Sequence, residues 1–408
     1  MKLPLLLLSL ALACGTALAK GPKAKAKAVK QPTYETWSYT DEDLYPGAII
    51  STATVDWNTD EEDEEAEIGT YGDENGWLGI VLYDAPKGAK VTVEISADGG
   101  WMKPSTLTIV TEDNDDEVLV IPKGIFDYDA LRQVKQQKPV NVTTKVTING
   151  KALEETTETH LLRSVNECPF AVYYGDDEEP DDISYLFAGY VNENHPWIDG
   201  LLKEALATGI VDSFDGYQSG DRDQVLAQVF AIWHVLEKRG LKYSDITATP
   251  PSKTVASQYV RFLDDSIENK QANCVDGTVL MASILTKISL KAHLVLVPGH
   301  CYLAFDLKED DETGRSTVAL ETTMLGTKDV EPLDSLTKLA PKSRTKLNAI
   351  AKSRKVSVLS FANAFEVGTL DYKENAAEFE EDGDPDYVRV AISDARDLGI
   401  MPISAGRN

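Results

Sequence analysis

Hydrophobic and polar positions along this chain follow two different periods. Between residues 33 and 165 the period is two. Val91-Thr92-Val93-Glu94-Ile95 and Leu107-Thr108-Ile109 alternate, Val118-Leu119-Val120-Ile121 does so more weakly before Pro122, and Val140 to Ile148 alternates throughout. Alternation puts successive side chains on opposite faces of a strand. Asn149-Gly150 supplies the residues of a two-residue hairpin turn. Short strands punctuated by Gly, Pro and Asp predict an all-β, sandwich-like domain. It carries little that could do chemistry, and its plain role is a spacer or binding module.

Beyond residue 165 helical spacing takes over. Ile198, Leu201, Leu202 and Leu206 predict a helix opening near Pro196. Val225, Leu226, Val229, Phe230, Trp233 and Leu236 share one face, and Gly240 closes that helix as a cap. Val260, Phe262, Leu263 and Ile267 predict another helix before Asn273, and apolar residues at 280, 281, 284, 285 and 288 predict one over Thr278 to Ile288. His293 to Val297 reads as a short strand, Pro298-Gly299 as a turn, and His300 to Phe305 as the partner strand. Thr317 to Glu321 is a further strand. Residues 328 to 355 form a Lys/Arg-rich island, expected to be helical with a break at Pro341. Tyr387 to Leu398 predicts a last helix ended by Gly399. A helix followed by antiparallel strands indicates α+β rather than a doubly wound sheet.

The first residues read as an address. Lys2 precedes an apolar run from Leu3 to Ala13, and Ala17-Leu18-Ala19 suits a leader-peptidase cut before Lys20. The expected organisation is a signal peptide at 1–19, a basic flexible linker at 20–32, the β-sandwich-like domain at 33–165 and an α+β domain at 166–408. Export to a bacterial periplasm or medium follows. Cys14, in Ala11-Leu12-Ala13-Cys14-Gly15, offers lipid anchoring as the alternative. No later segment has the length and apolarity of a transmembrane helix.

Charge narrows the partners. The chain holds 67 Asp and Glu against 40 Lys and Arg, for a net charge of −27. Such a surface repels phosphate backbones, so nucleic-acid binding is not expected. Acidic runs at Asp60 to Glu67, Asp176 to Asp182 and Glu378 to Asp386 read as solvated breaks without the ligand spacing of a calcium loop. The five His are scattered and no Cys-x-x-Cys exists, so neither a structural metal nor a cofactor is expected. Cys168, Cys274 and Cys301 remain after Ala19, an odd number that leaves at least one thiol free.

Cys274 is the informative one. It stands in Ala272-Asn273-Cys274-Val275-Asp276-Gly277-Thr278, ahead of a helical stripe, where free N–H groups favour a thiolate and could hold an oxyanion. His300 follows 26 positions later (300 − 274) at the start of a strand. Strand alternation groups His300 with Tyr302 and Ala304, and turns Cys301 the other way as a buried small residue. An imidazole acting as base needs an acceptor on its other nitrogen. Glu321, on the next strand, is the favoured candidate over Asp306. His195 reads as a capping or core histidine, and Gln271 and Gln258 are candidate oxyanion donors.

These motifs resemble the transglutaminase-like superfamily over residues 273 to 323. They are Cys274 with Asp276 at a helix start, then His300-Cys301-Tyr302, then Glu321-Thr322-Thr323, in the family's order. The resemblance implies a papain-like core with a Cys-bearing helix packed on an antiparallel sheet. It implies Cys274 as nucleophile, His300 as general base and acid, and Glu321 as the orienting group. The expected function is an exported thiol enzyme attacking an amide or isopeptide bond of a protein or peptide, with cell-envelope material among the candidate substrates. Hydrolysis is favoured over cross-linking. The alternatives are an inactive binding or structural protein of the same fold and, more weakly, a cation-dependent adhesin.

Overall fold

The computed structural model describes residues 31–55, 69–112, 117–174, 180–246, 249–309, 316–338, 340–350, 355–379 and 386–404. The expected leader, Cys14 and nearly all of the basic linker lie outside them. So do the acidic run at 60–67 and residues 176–179 and 380–385.

The chain is a mixed α+β protein built on several sheets. In the N-terminal region one sheet runs in the order Thr33–Ser38, Leu78–Tyr83, Glu117–Ile121, Gly69–Gly72. A second runs Asp43–Leu44, Thr156–Leu162, Lys138–Ile148, Lys90–Ala97, Ser105–Val110. Alternation explains their burial. Val91, Val93 and Ile95 are buried while Thr92 and Glu94 between them are not, and Val140, Val142, Val146 and Ile148 point the same way inward. The predicted hairpin forms at Asn149 and Gly150, whose φ values of 50° and 81° suit its turn. Tyr34 crosses between the sheets and donates from its hydroxyl to the Glu154 carbonyl at 2.6 Å.

The helices of the second region follow the stripes with shifted ends. Pro196–Ala207 starts at its proline, as an N1 proline does. Arg222–Lys238 begins a turn earlier than its stripe and closes at Gly240, φ 86°. The helix expected before Asn273 is shorter than its apolar residues suggested. It spans Leu263–Asn269, Val260 lies before it, Phe262 is extended, and Lys270 ends it in the left-handed region. Within the acidic break at 176–182, Asp181–Asp182 is a strand paired with Ala171 and Val172.

Two expectations near the C-terminus need correction. Tyr387 to Leu398 is not one helix. Val388–Ala391 is a strand beside Ala292–Val297, and only Ile392–Asp397 is helical. The Val-Arg-Val alternation fits that edge position better than a helical face. In the basic island, Pro341 opens the helix Pro341–Ile350 rather than breaking one, and residues 328–338 are irregular apart from a turn at Leu333–Ser335. A long helix, Lys355–Glu374, follows that no stripe announced.

That helix completes the central layer. A four-stranded antiparallel sheet runs Thr317–Leu320, His300–Asp306, Ala292–Val297, Val388–Ala391. The helix Cys274–Lys287 covers one face, against Cys301, Leu303 and Phe305. The later part of Lys355–Glu374 covers the other, where Tyr372 packs with Val295, Tyr302, Ala304 and Ala319. The strand Thr317–Leu320 is an edge, and an unpaired edge exposes backbone donors and acceptors. Here the helix supplies them. Thr369 Oγ1 accepts from Ala319 N at 3.2 Å and donates to Ala319 O at 3.1 Å, and Glu321 N donates to Ala364 O at 3.0 Å. Gly368 permits the approach, because a Cβ there would stand 2.8 Å from the nitrogens of Leu320 and Glu321.

Replacing Thr369 by Val removes the hydroxyl and strands two buried backbone groups. Chemical denaturation is expected to show a loss of about 1–3 kcal/mol for Thr369→Val, with Thr369→Ser close to the parent. Equal stability of the Val and Ser variants would contradict the edge-capping role.

Candidate functional site

Local sequence places the sulfur at a helix start. Asn273 caps the helix, accepting from Asp276 N at 2.8 Å, and its own N–H donates to Asp276 Oδ2 at 3.0 Å. This reciprocal pair fixes where the helix begins, so Cys274 is its first residue. Asp276 is also the anchor of the preceding segment. It accepts from Arg261 N at 2.7 Å and pairs with the Arg261 guanidinium, with its side chain fully buried. Gly277 lets the first turn meet the segment after Glu321, since a Cβ there would lie 3.0 Å from Thr322 Oγ1. The Thr278 hydroxyl, which lies 3.3 Å from that of Thr322, donates to Cys274 O at 2.8 Å.

His300 opens its strand just after Gly299, whose φ of 72° makes the turn. Its ring acts with two partners. Nε2 lies 2.6 Å from Glu321 Oε2, and Cys274 stands near enough to the same ring to raise its pKa. With Nε2 engaged by the carboxylate, Nδ1 is the nitrogen left for sulfur. Glu321 follows the edge strand directly and divides its oxygens. Oε2 meets His300, while Oε1 accepts from Thr323 N at 2.9 Å and from Thr323 Oγ1 at 2.6 Å.

The electrostatics follow from these contacts. Cys274, then the hydrogen bond to Glu321, push the His300 ring up to about 10 against the opposing effect of burial. Burial acts to raise the Glu321 carboxyl, but the His300 and Thr323 bonds outweigh it and hold Glu321 below the usual carboxylate range. The Cys274 and His300 side chains are partly open to solvent, and Glu321 is nearly closed off.

The other candidates fall elsewhere. Asp306 lies at the far end of the His300 strand. It accepts from Thr317 Oγ1 at 2.6 Å and faces His293 Nε2 at 3.5 Å. Cys301 is buried on the helix side, near Thr278, and burial raises its thiol; Cys168 is buried likewise. His195 caps Pro196–Ala207, its Nδ1 accepting from Trp197 N at 3.3 Å. Gln258 donates to Tyr259 O at 3.0 Å on a strand paired with Cys168. Gln271 stands three residues before Cys274, and its side chain makes no hydrogen bond among the described residues. Those residues include no group of three or more His, Cys, Asp or Glu placed to hold a metal ion. None of their helices is long and apolar enough to cross a membrane.

Two residues at the site carried no sequence signal. Tyr243 belongs to a two-residue strand, Lys242–Tyr243, that runs parallel to Gln271–Ala272 and places it opposite Ala272. Its ring is 46% exposed. Burial, Asp245, Cys274 and Glu321, in that order, raise its phenol, which puts it within the field of the sulfur. Asp371, on Lys355–Glu374, is the other. Burial, Glu321 and Glu374 raise its carboxyl, and His300 lowers it. Only a contact across a long stretch of chain brings either residue here. Scans against protein-family models and a search of curated proteins find no match for this chain.

The His300–Glu321 pair should leave a pH signature on stability. His300 is raised from 6.5 to about 10, so its proton contributes fully below 6.5 and the contribution fades as pH climbs towards 10. Glu321 is depressed, so its share holds above the usual carboxylate range and fades as pH falls below it. The difference in Tm between the parent and Glu321→Gln is expected to be largest at about pH 5–6.5 and to shrink towards pH 10. A difference that grows with rising pH would contradict the pairing.

Proposed function

We propose that this protein is an exported thiol enzyme of the transglutaminase-like, papain-like class that hydrolyses an amide or isopeptide bond in a protein or peptide. The observation that carries the reading is the single imidazole hydrogen-bonded to Glu321 at 2.6 Å and raised by the neighbouring Cys274. Placement of that sulfur on the first residue of a helix supports it further. The leader-like Leu3 to Ala13 run and Ala17-Leu18-Ala19 support export.

In the proposed reaction the Cys274 thiolate attacks the carbonyl carbon and forms a C–S bond. The carbonyl oxygen takes up negative charge beside the free N–H groups of the first helical turn. As the C–N bond breaks, the His300 imidazolium gives its proton to the departing nitrogen, so an amine leaves and a thioester remains. His300 then takes a proton from water, hydroxide adds to the thioester carbon, and the C–S bond breaks. A carboxylic acid leaves and the thiolate–imidazolium pair is restored. Glu321 keeps the ring oriented and stabilises its charged form throughout. Tyr243, with an exposed ring next to the strand that leads into Cys274, is placed to contact bound substrate.

Iodoacetamide at pH 6 is expected to label Cys274 selectively over the buried Cys168 and Cys301, at a rate above that of a peptide thiol and lost in His300→Ala. Turnover on envelope-derived peptides should vanish in Cys274→Ala and fall by about 10²–10⁴-fold in Glu321→Gln. Labelling of Cys274 no faster than a peptide thiol, and indifferent to His300, would leave the inactive binding protein as the better reading.

A further inference from the structure

One carboxylate at the site has no part in that mechanism. Asp371 stands three residues beyond Gly368, and so on nearly the same side of its helix. Gly368 seats that side against the backbone of Ala319, Leu320 and Glu321. The half-buried Asp371 is thereby carried to the lip of the site, where it and Glu321 repel each other and His300 attracts it. Its carboxylate makes no hydrogen bond or ion pair among the described residues.

The surrounding charges do not neutralise it. Arg261 is held by Asp276, and Arg389 donates to the Tyr372 hydroxyl at 3.2 Å. Lys242 and Lys373 are exposed and show no ion pair among the described residues. Glu374 adds a second negative charge on the same helix, and Asp245 adds one beside Tyr243. The His300 charge is already balanced by Glu321.

We propose that Asp371 is a specificity-determining residue that selects substrates carrying a positive charge on the amine side of the scissile bond, as the ammonium of a lysine or diamino acid would. This rests on the thiol-enzyme reading above. The amine side follows from position: Asp371 lies by His300 and Glu321, where the departing nitrogen collects its proton, rather than by the helix start that faces the carbonyl oxygen. A unit charge about 7 Å away at an intermediate dielectric shifts the approach of a charged group by about tenfold before salt screening.

The probes are three methanethiosulfonates that react with Cys274 in the full chain: the neutral methyl, the cationic trimethylammonioethyl and the anionic sulfonatoethyl reagents. Each rate is divided by its rate on a peptide thiol. Asp371→Asn is expected to lower the cation-to-anion ratio about five- to tenfold and to leave the neutral rate within about twofold. Asp371→Glu should keep the parent ratio, as should Glu94→Gln on the remote β sheet. A ratio unmoved by Asp371→Asn, or moved equally by Glu94→Gln, overturns the proposal. The neutral reagent reports separately on the thiol-enzyme reading. If it reacts no faster than with a peptide thiol and ignores His300→Ala, that reading fails whatever the charged reagents do.

Discussion

One imidazole set between two partners is the constraint around which the second half of this chain is arranged. His300 meets Glu321 at 2.6 Å through Nε2, and Cys274 acts on the same ring. A neutral imidazole has one donor and one acceptor, and its protonated form has two donors. The Cys274 sulfur and the Glu321 carboxylate both favour the protonated form, which pushes the ring up to about 10. The three groups come from a helix start, a strand start and a strand end, so their meeting is a property of the tertiary fold and of no local segment.

The scaffold fixes each end of that contact by a separate device. Asn273 and Asp276 cap each other and set the first residue of the Cys274 helix, and Arg261 holds Asp276 from outside. Gly277 and Gly368 supply closeness. The first lets the Cys274 helix touch Thr322, and the second lets Lys355–Glu374 lie on the strand that delivers Glu321. Thr369 and the Ala364 carbonyl then occupy the edge of that strand, so the carboxylate is presented from a paired segment. The long helix does two jobs at once. Phe361 packs on Trp233 and Phe230, tying it to Arg222–Lys238, while Tyr372 covers the sheet behind His300.

Much of this was legible in the residues, for identifiable reasons. Cys274 at a helix start follows from an apolar stripe that begins just after it, with Asp276 in the first turn. The turn before His300 is written in Pro298-Gly299, and Glu321 follows an apolar strand. What was hidden depended on contacts between distant segments. Lys355–Glu374 buries the polar Ser357, Ser360, Asn363 and Thr369 while exposing Val356 and Val367, and it carries Val358 and Gly368, which favour helix poorly, so it shows no clean stripe. Val388–Ala391 is too short to announce itself and is a strand because Ala292–Val297 offers it an edge. Tyr243 and Asp371 reach the site only through pairings that span many residues.

The proposed pairing of Cys274 with His300 can be tested most directly with 2,2′-dipyridyl disulfide, which becomes more electrophilic when protonated in acid. Its rate with Cys274, followed from about pH 4 to pH 10, is expected to show high reactivity in the acid range that disappears in His300→Ala, because an imidazole-paired sulfur keeps thiolate character where a lone thiol does not. A profile that stays flat and low in acid and rises only near about pH 8.5, identical with and without His300, would contradict the account.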